Sequence, residues 1–144
     1  MCILIFFHIF ADMKELTLIQ LRDKELRHCY EKILRSCSNT RLLSRRSILS
    51  LLSGMPAPRF FITPYWASLY ILRHYKGLNI NRRKRGMIDD LVENYERLRI
   101  EYPFATKCDL YEMLVEQPAK SFYMSEQRIK EIIFNYTGRN GKKK

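Results

Sequence analysis

Apolar side chains recur every three or four positions along most of this chain, which is the spacing that builds one face of an α-helix. Typical stripes are Leu26, Tyr30, Ile33 and Leu34 in the first half, and Ile129, Ile132, Ile133 and Tyr136 in the second. The pattern predicts six helices, over residues 23–37, 45–53, 64–75, 87–101, 107–116 and 126–136. The chain is therefore expected to be all-α.

Hydroxyl side chains precede four of the predicted helices. A Ser or Thr in this position accepts a hydrogen bond from a free backbone N–H at the helix N-terminus. The four residues are Ser44, Thr63, Thr106 and Ser125. Thr106 and Asp109 form a capping box, and Pro64 suits the first position of a helix. These signals predict where the four helices begin.

An octapeptide occurs twice, as PAPRFFIT at residues 56–63 and as PAKSFYMS at residues 118–125. Pro, Ala and the first Phe are identical at an offset of 62 residues. The same offset pairs Ser44 with Thr106, so the helix starts are also in register. We interpret the two halves as divergent copies of one three-helix unit, in which the octapeptide aromatics fill the core between the helices.

The predicted fold class is all-α, with two divergent three-helix units packed as a compact helical domain. Unit one spans residues 13–77 and unit two spans residues 87–138. A basic linker, residues 78–86, joins the units, and a basic tail, residues 139–144, follows the second. Residues 1–12 stand apart as an apolar leader.

The leader fits the rest of the chain poorly. Its run CILIFFHIFA is too short to cross a bilayer as a helix, which takes about 20 residues. It also lacks the basic n-region and the small residues of a secretory signal. Three interpretations are open: a buried strand or helix end, a membrane-associating tip, or a stretch that is not native, with translation starting at Met13. We favour the last, because Met13 opens a sequence typical of a cytosolic N-terminus.

The chain of 144 residues holds 26 Lys and Arg against 15 Asp and Glu, a formal charge of +11. Such a charge suggests a polyanionic partner: DNA, RNA, an anionic membrane or an acidic protein. The charge is uneven, because residues 13–86 hold 16 basic and 4 acidic side chains, whereas residues 87–126 hold 4 basic and 9 acidic. Residues 127–144 are basic again, with 6 basic and 1 acidic. The linker and the tail are therefore the expected phosphate contacts.

Candidate nucleic-acid-binding residues follow from this distribution and from the third helix of unit two. A helix in the major groove presents its early outward residues to base edges, where Gln and Asn pair with adenine and Arg with guanine. The set is Arg82, Arg83, Lys84 and Arg85 in the linker, Gln127, Arg128, Lys130 and Asn135 on the helix, and Lys142, Lys143 and Lys144 in the tail. The matching helix of unit one is more apolar, and Trp66 and Leu69, if exposed, favour a protein partner instead.

The tandem P-A-x-x-F-[YF]-[IM]-[ST] motif, each copy followed by a helix, resembles that of small uncharacterised proteins from Bacteroides-type bacteria. The likeness covers most of residues 23–138. It implies a bacterial cytoplasmic protein that is helix-turn-helix-like in outline, and it supplies no site residues. The connection of about ten residues before each third helix departs from the three or four residues of a helix-turn-helix turn.

We therefore expect a DNA-binding protein, with transcriptional regulation as one role. Two alternatives stay open: a non-catalytic protein-interaction or structural helical module, which includes a homodimer, and an RNA-binding protein. No catalysis, cofactor or small-molecule substrate is predicted, because no nucleophile lies at a suitable spacing from a base. The four cysteines match no zinc spacing, and reduced thiols are typical of the cytoplasm. No membrane span is expected.

Overall fold

The computed structural model describes residues 2–37 and 43–134, with side chains described from Thr17 onward. Within these ranges there are six α-helices: α1 (Cys2–Ser36), α2 (Arg45–Gly54), α3 (Pro64–Tyr75), α4 (Arg85–Glu101), α5 (Lys107–Val115) and α6 (Glu126–Ile133). A short 3₁₀ helix (Arg82–Lys84) precedes α4. The described residues form no β-strand beyond one isolated bridge, so the all-α prediction is confirmed.

Side-chain caps begin four of the six helices, as predicted. The hydroxyl oxygens accept hydrogen bonds of 3.1–3.3 Å from the backbone N–H three residues further on. The capping residues are Ser44, Thr63, Thr106 and Ser125. Each cap satisfies an N–H group that has no partner inside its own helix. Local sequence chemistry thus determines where α2, α3, α5 and α6 start.

The largest departure from the predicted helices is the length of α1. The stripe of apolar residues predicts a start near residue 23, but the helix begins at Cys2 and runs for 35 residues. Residues 2–36 contain neither Gly nor Pro, so nothing in this stretch interrupts the i to i−4 hydrogen bonds. The leader therefore belongs to α1. No helix in the described part of the chain combines the length and apolarity that a membrane crossing needs.

The third helix of each half packs against the other half of the chain. α3 contacts α4 and α5, whereas α6 contacts α1 and α2. The first two helices of each half also contact each other, α1 with α2 and α4 with α5. One continuous core results, and its least exposed side chains come from both halves: Leu26, Leu52, Phe60, Ile71, Ile88, Leu91, Leu114 and Ile129. The described residues form a compact domain of six helices.

The two octapeptides run antiparallel to each other between the helices. Ala57 and Ala119 exchange both of their backbone hydrogen bonds, each at 3.0 Å. The N–H of Phe60 donates to the carbonyl of Val115 at 2.9 Å, at the end of α5. These bonds satisfy backbone groups that would otherwise be buried without a partner, so they join the two extended segments into one central layer.

The aromatic side chains of the octapeptides stack across this layer. Phe60 stacks on Tyr123 with ring centroids 6.5 Å apart, and Phe61 stacks on Phe122 at 5.9 Å. Phe60 and Phe122 are buried, which confirms that octapeptide aromatics reach the core. The rings meet between the two halves, however, whereas the sequence analysis expected them between the helices of one unit. The two halves share a core because each supplies one ring to each stack.

Candidate functional site

The predicted linker cations lie in ordered helical backbone. Arg82, Arg83 and Lys84 form the 3₁₀ helix, and Arg85 begins α4. The side-chain oxygen of Asn81 accepts a hydrogen bond from the backbone N–H of Arg83 at 3.1 Å, which caps this turn. All four cationic residues are exposed. The linker therefore presents its charge from a defined turn.

Three of these four cations are available for an external partner. Arg82, Arg83 and Arg85 form no side-chain hydrogen bond and no ion pair with any described residue. Lys84 is different, because its ammonium group donates to the hydroxyl of Tyr70 at 2.7 Å and lies 5.1 Å from the centroid of that ring. This cation–π contact holds Lys84 against α3 and fixes its charge beside the octapeptides.

A cavity of about 250 Å³ lies beside the paired octapeptides. Its cationic lining residues come from three separate segments: Arg22 from α1, Arg59 from the first octapeptide, and Arg83 and Lys84 from the 3₁₀ helix. We name these four side chains the basic rim. No described residue that lines this cavity is acidic, but two carboxylates contact its lining: that of Asp23 pairs with Arg22 at 3.1 Å, and that of Asp90 accepts a hydrogen bond from Tyr123. Because these four residues come from three separate segments, the cluster of positive charge forms only when the chain is folded.

Aromatic and hydroxyl groups line the same cavity. Phe60, Phe61, Phe122 and Tyr123 supply ring surface, and Ser121 supplies a hydroxyl. The lining thus combines positive charge with aromatic surface. Arg side chains bind phosphates through paired hydrogen bonds, and aromatic rings stack on bases.

The position of Tyr123 is fixed by a buried carboxylate. Asp90 of α4 is 3% exposed and accepts hydrogen bonds from the Tyr123 hydroxyl at 2.5 Å, from the backbone N–H of Lys120 at 3.0 Å and from the Asn94 amide at 2.9 Å. Burial, together with this bond to Asp90, raises the pKa of Tyr123 well above its usual range. Tyr123 also has a φ of 54°, which is a strained backbone conformation for a bulky residue. The bond to Asp90 and the stack on Phe60 therefore fix the Tyr123 ring at a conformational cost.

The predicted residues on α6 lie apart from this cavity. Gln127, Arg128 and Lys130 are exposed on α6, as the apolar stripe predicts. None of them lines the cavity, since α6 packs against α1 and α2. Arg128 forms an ion pair with Glu131 at 3.2 Å, which offsets part of its charge. Asn135 and the tail lysines Lys142, Lys143 and Lys144 lie outside the described residues.

The helix-turn-helix outline is not the arrangement observed around α6. In that motif two consecutive helices joined by a three- or four-residue turn pack against each other. Here residues 116–125 separate α5 from α6, and α5 packs against α3 and α4. The physical reason is the extended octapeptide, which occupies the connection and directs α6 across to the first half.

The outward positions of α3 are only partly exposed. Tyr65 and Arg73 are exposed, whereas Trp66 and Leu69 are half-buried. The Trp66 ring lies 6.0 Å from that of Tyr70, and both line a second cavity of about 200 Å³ that also includes Lys84. The exposure that would have favoured a protein partner at Trp66 and Leu69 is therefore reduced.

Sequence reasoning did not single out two members of the basic rim. Arg22 lies among ordinary surface charges of α1, and nothing in its neighbourhood distinguishes it. Arg59 does carry a signal, because it is a cation inside an otherwise apolar octapeptide, at the position where the second copy has Ser121. Sequence reasoning also missed an apolar tip at the C-terminal end of α4, where Ile100 and Tyr102 are exposed and Phe104 is 99% exposed.

The described residues contain no group of His, Cys, Asp and Glu side chains arranged to hold a metal ion. Comparison of the chain with protein-family models, with curated proteins and with solved structures finds no match.

Proposed function

We propose that this protein binds nucleic acid, with duplex DNA as the leading candidate, through the basic rim and the neighbouring Arg82 and Arg85. The observation that carries the proposal is the convergence of cations from α1, the first octapeptide and the 3₁₀ helix at one cavity whose described lining holds no carboxylate. Guanidinium groups bind phosphate oxygens with two parallel hydrogen bonds, so Arg59 and Arg83 suit a phosphate backbone, whereas the pairing of Arg22 with Asp23 offsets part of its charge.

The uneven charge gives the proposed complex an orientation. The exposed residues of α4 beyond its first turn include Asp89 and Glu93, which repel phosphates. A hydrogen bond from Lys120 lowers the pKa of Glu93, and the resulting ion pair at 2.8 Å offsets part of the charge of that carboxylate. The nucleic acid therefore approaches from the side of the 3₁₀ helix, and the acidic part of α4 lies away from it.

A salt series tests the proposal. If four to six cations contact phosphates, the logarithm of the binding constant for a random duplex falls against the logarithm of salt with a slope of about −4 to −5. Fluorescence anisotropy of a labelled duplex measures this slope. No binding at low salt would exclude the proposal, and a slope near zero would exclude the phosphate contacts.

A pair of variants with equal charge change makes the test specific. Arg82→Ala with Arg85→Ala removes two cations that make no hydrogen bond or ion pair with a described residue, so the fold is retained. The slope should become shallower by about 2 units, because each phosphate contact contributes about 0.9. Arg99→Ala with Lys107→Ala is the control, since both cations are exposed on the acidic side of the chain. An equal decrease of the salt slope in both double variants would mean that the net charge of the protein, and not the position of the cations, determines binding.

A second pair of variants asks whether α6 reads bases, as the sequence analysis proposes for Gln127 and Arg128. Bidentate contacts to bases make a loss of binding depend on sequence, whereas contacts to phosphates weaken every duplex alike. We compare Gln127→Ala and Arg128→Ala on a pool of random duplexes, with the bound fraction sequenced. An unchanged distribution of bound sequences would show that α6 does not read bases and that it contacts only phosphates or does not contact the DNA.

We further propose that the chain is two copies of one three-helix unit related by an approximate twofold axis. The supporting contacts occur in matched pairs: α3 with α5 and α6 with α2, then α3 with α4 and α6 with α1. Ala57 and Ala119 are equivalent positions of the two octapeptides, so their bridge lies on the proposed axis. The axis relates the stack of Phe60 on Tyr123 to the stack of Phe122 on Phe61. In this interpretation the third helices are exchanged between units, and unit one begins with α1 at Cys2 and not at residue 13.

A protein-interaction module is the second candidate function, and the apolar tip at Ile100, Tyr102 and Phe104 favours it. Exposed apolar side chains that cluster in this way are typical of interaction sites. Size-exclusion chromatography with light scattering, applied to the wild type and to Phe104→Ser, tests self-association at the tip. An RNA oligonucleotide in the salt series tests the third candidate, RNA binding.

A further inference from the structure

Two neighbouring cavities meet at Tyr70 and Lys84. The cavity of about 250 Å³ is lined by the basic rim and the octapeptide rings, and the cavity of about 200 Å³ is lined in part by Trp66. Both volumes lie below the range of about 300–1,000 Å³ in which drug-sized ligands bind. The first cavity is therefore too small for a whole duplex, and its cationic and aromatic lining suits one small ligand that carries a negative charge and a flat ring.

We propose that the cavity with the basic rim binds one 5′-phosphorylated nucleotide. This proposal rests on the proposed nucleic-acid binding. The phosphate is bound by Arg59 and Arg83 from two segments, and the base lies against the ring of Tyr123 or Phe61. The nucleotide has two possible sources, the 5′ end of a strand or a free mononucleotide, and both present the same chemistry.

Positive charge and aromatic surface are both needed, and each has its own support in the contacts. The Arg83 side chain forms no hydrogen bond or ion pair with a described residue, so binding a phosphate does not break an existing bond. Arg59 donates from Nε to the carbonyl of Phe60 at 3.1 Å, which positions its guanidinium group while the two remaining nitrogens are left for a ligand. The rim is thus partly preorganised for an anion.

The ring of Tyr123 is preorganised as well. Its hydroxyl is bound to the buried carboxylate of Asp90, and its backbone is held at a φ of 54°. Strained residues persist where the surrounding structure holds them, and they cluster at ligand sites. A ring that is already fixed loses little conformational freedom when a base stacks on it, so stacking at this place is favoured.

Trp66 provides a reporter for the experiment, because it is the single tryptophan of the chain and lies beside Tyr70, which lines both cavities. We measure its fluorescence, excited at the red edge of the indole band, with a nucleoside 5′-monophosphate, the unphosphorylated nucleoside and inorganic phosphate. Equilibrium dialysis with the same three compounds gives the affinities independently of any optical change. We expect the monophosphate to bind at least about tenfold more tightly than either part alone, since a charge-assisted hydrogen bond contributes about that factor.

Single substitutions assign the binding to the cavity. Arg83→Ala should weaken monophosphate binding by about tenfold or more. Arg99→Ala, which removes the same charge from an exposed place on α4, should leave it unchanged. Equal effects of the two substitutions would overturn the proposal, as would absence of monophosphate binding in dialysis or equal affinity for inorganic phosphate. In each of these cases salt-dependent binding of the duplex would still support the proposed function.

Two single-stranded oligonucleotides distinguish the sources. A strand with a 5′-phosphate that binds at least about tenfold more tightly than the same strand with a 5′-hydroxyl supports a strand end as the ligand. A mononucleotide that binds as tightly as the phosphorylated strand supports a free nucleotide. If duplex, strands and mononucleotide all fail to bind at low salt, the proposed function fails together with this inference.

Discussion

Phe60 lies at the centre of the contact between the octapeptides, and replacing it by Ala tests whether this contact is the core of the fold. Its side chain is 2% exposed, and its ring stacks on that of Tyr123. Truncation of a buried Phe to Ala costs about 3–5 kcal/mol, because the transfer free energy of the ring is lost and a cavity remains. A domain has a free energy of unfolding of about 5–15 kcal/mol, so we expect Phe60→Ala to be close to the limit of folding.

The same substitution at Phe104 is the matched control, because that side chain is 99% exposed. Phe104→Ala should change the free energy of unfolding by no more than about 0.5 kcal/mol. Equilibrium unfolding in urea, followed by circular dichroism, measures both variants against the wild type. In thermal unfolding, Phe60→Ala should lower the Tm by about 10–20 °C, since 1 kcal/mol corresponds to about 3–4 °C at this chain length.

The result that would refute this reasoning is a free energy of unfolding for Phe60→Ala within about 1 kcal/mol of that for Phe104→Ala. Such a result would mean that the octapeptide layer does not hold the two halves together. Phe122→Ala gives an independent check, because Phe122 occupies the corresponding position of the second octapeptide and is also buried. We expect its loss of stability to be comparable with that of Phe60→Ala.

Three further predictions concern polar groups. Tyr123→Phe removes a hydrogen bond to the buried carboxylate of Asp90 and should destabilise the fold by about 1.5–3 kcal/mol in urea unfolding, more than Tyr75→Phe, whose hydroxyl bonds to an exposed Glu. Thr106→Ala removes the cap of α5 and should cost about 0.5–2 kcal/mol, with Thr106→Ser restoring most of it. Burial raises the pKa of Tyr111 to about 12, above the value of about 10 in the unfolded chain. The stability that comes from keeping Tyr111 protonated is present below about pH 10 and is lost as the pH rises towards about 12. Between these two pH values the urea midpoint of Tyr111→Phe should therefore fall less than that of the wild type.

The starts of four helices could be predicted because their cause is local. A Ser or Thr that caps a helix bonds to the N–H three residues later, so Thr63 and Ser125 carry their signal within a few positions of sequence. The start of α1 could not be predicted in this way. A helix continues until a breaker or a competing contact stops it, and an apolar stripe from residue 26 onward says nothing about residues 2–22.

The contact between the halves was beyond sequence reasoning, although the octapeptide match was visible. Similarity at an offset of 62 residues indicates that Ala57 and Ala119 are equivalent, which is a different statement from their being hydrogen-bonded. Contact depends on how the helices pack, and packing involves residues from the whole chain. The packing of α3 against α4 and α5, and of α6 against α1 and α2, has no local signal.

The candidate site was predicted in part for the same reason. The run from Arg82 to Arg85 is visible as a cluster because its members are adjacent in sequence, and the structure places all four on the surface. Arg22 and Arg59 join Arg83 and Lys84 only through the approach of α1 and the first octapeptide to the 3₁₀ helix. A cavity assembled from three segments has no sequence motif of its own. The sequence therefore indicated its positive charge only through the excess of basic over acidic residues in the whole chain.

The packing of α3 against α4 and α5 has a consequence for synthesis. When the ribosome has released the first 80 residues, α3 has been made but the two helices that cover its buried face have not. At about 5–20 residues per second, the remaining described residues take roughly 3–10 s to emerge. During that interval the nascent chain presents Ala67, Tyr70 and Ile71 to water or to a chaperone, and we expect the fold to close only after translation of the second half.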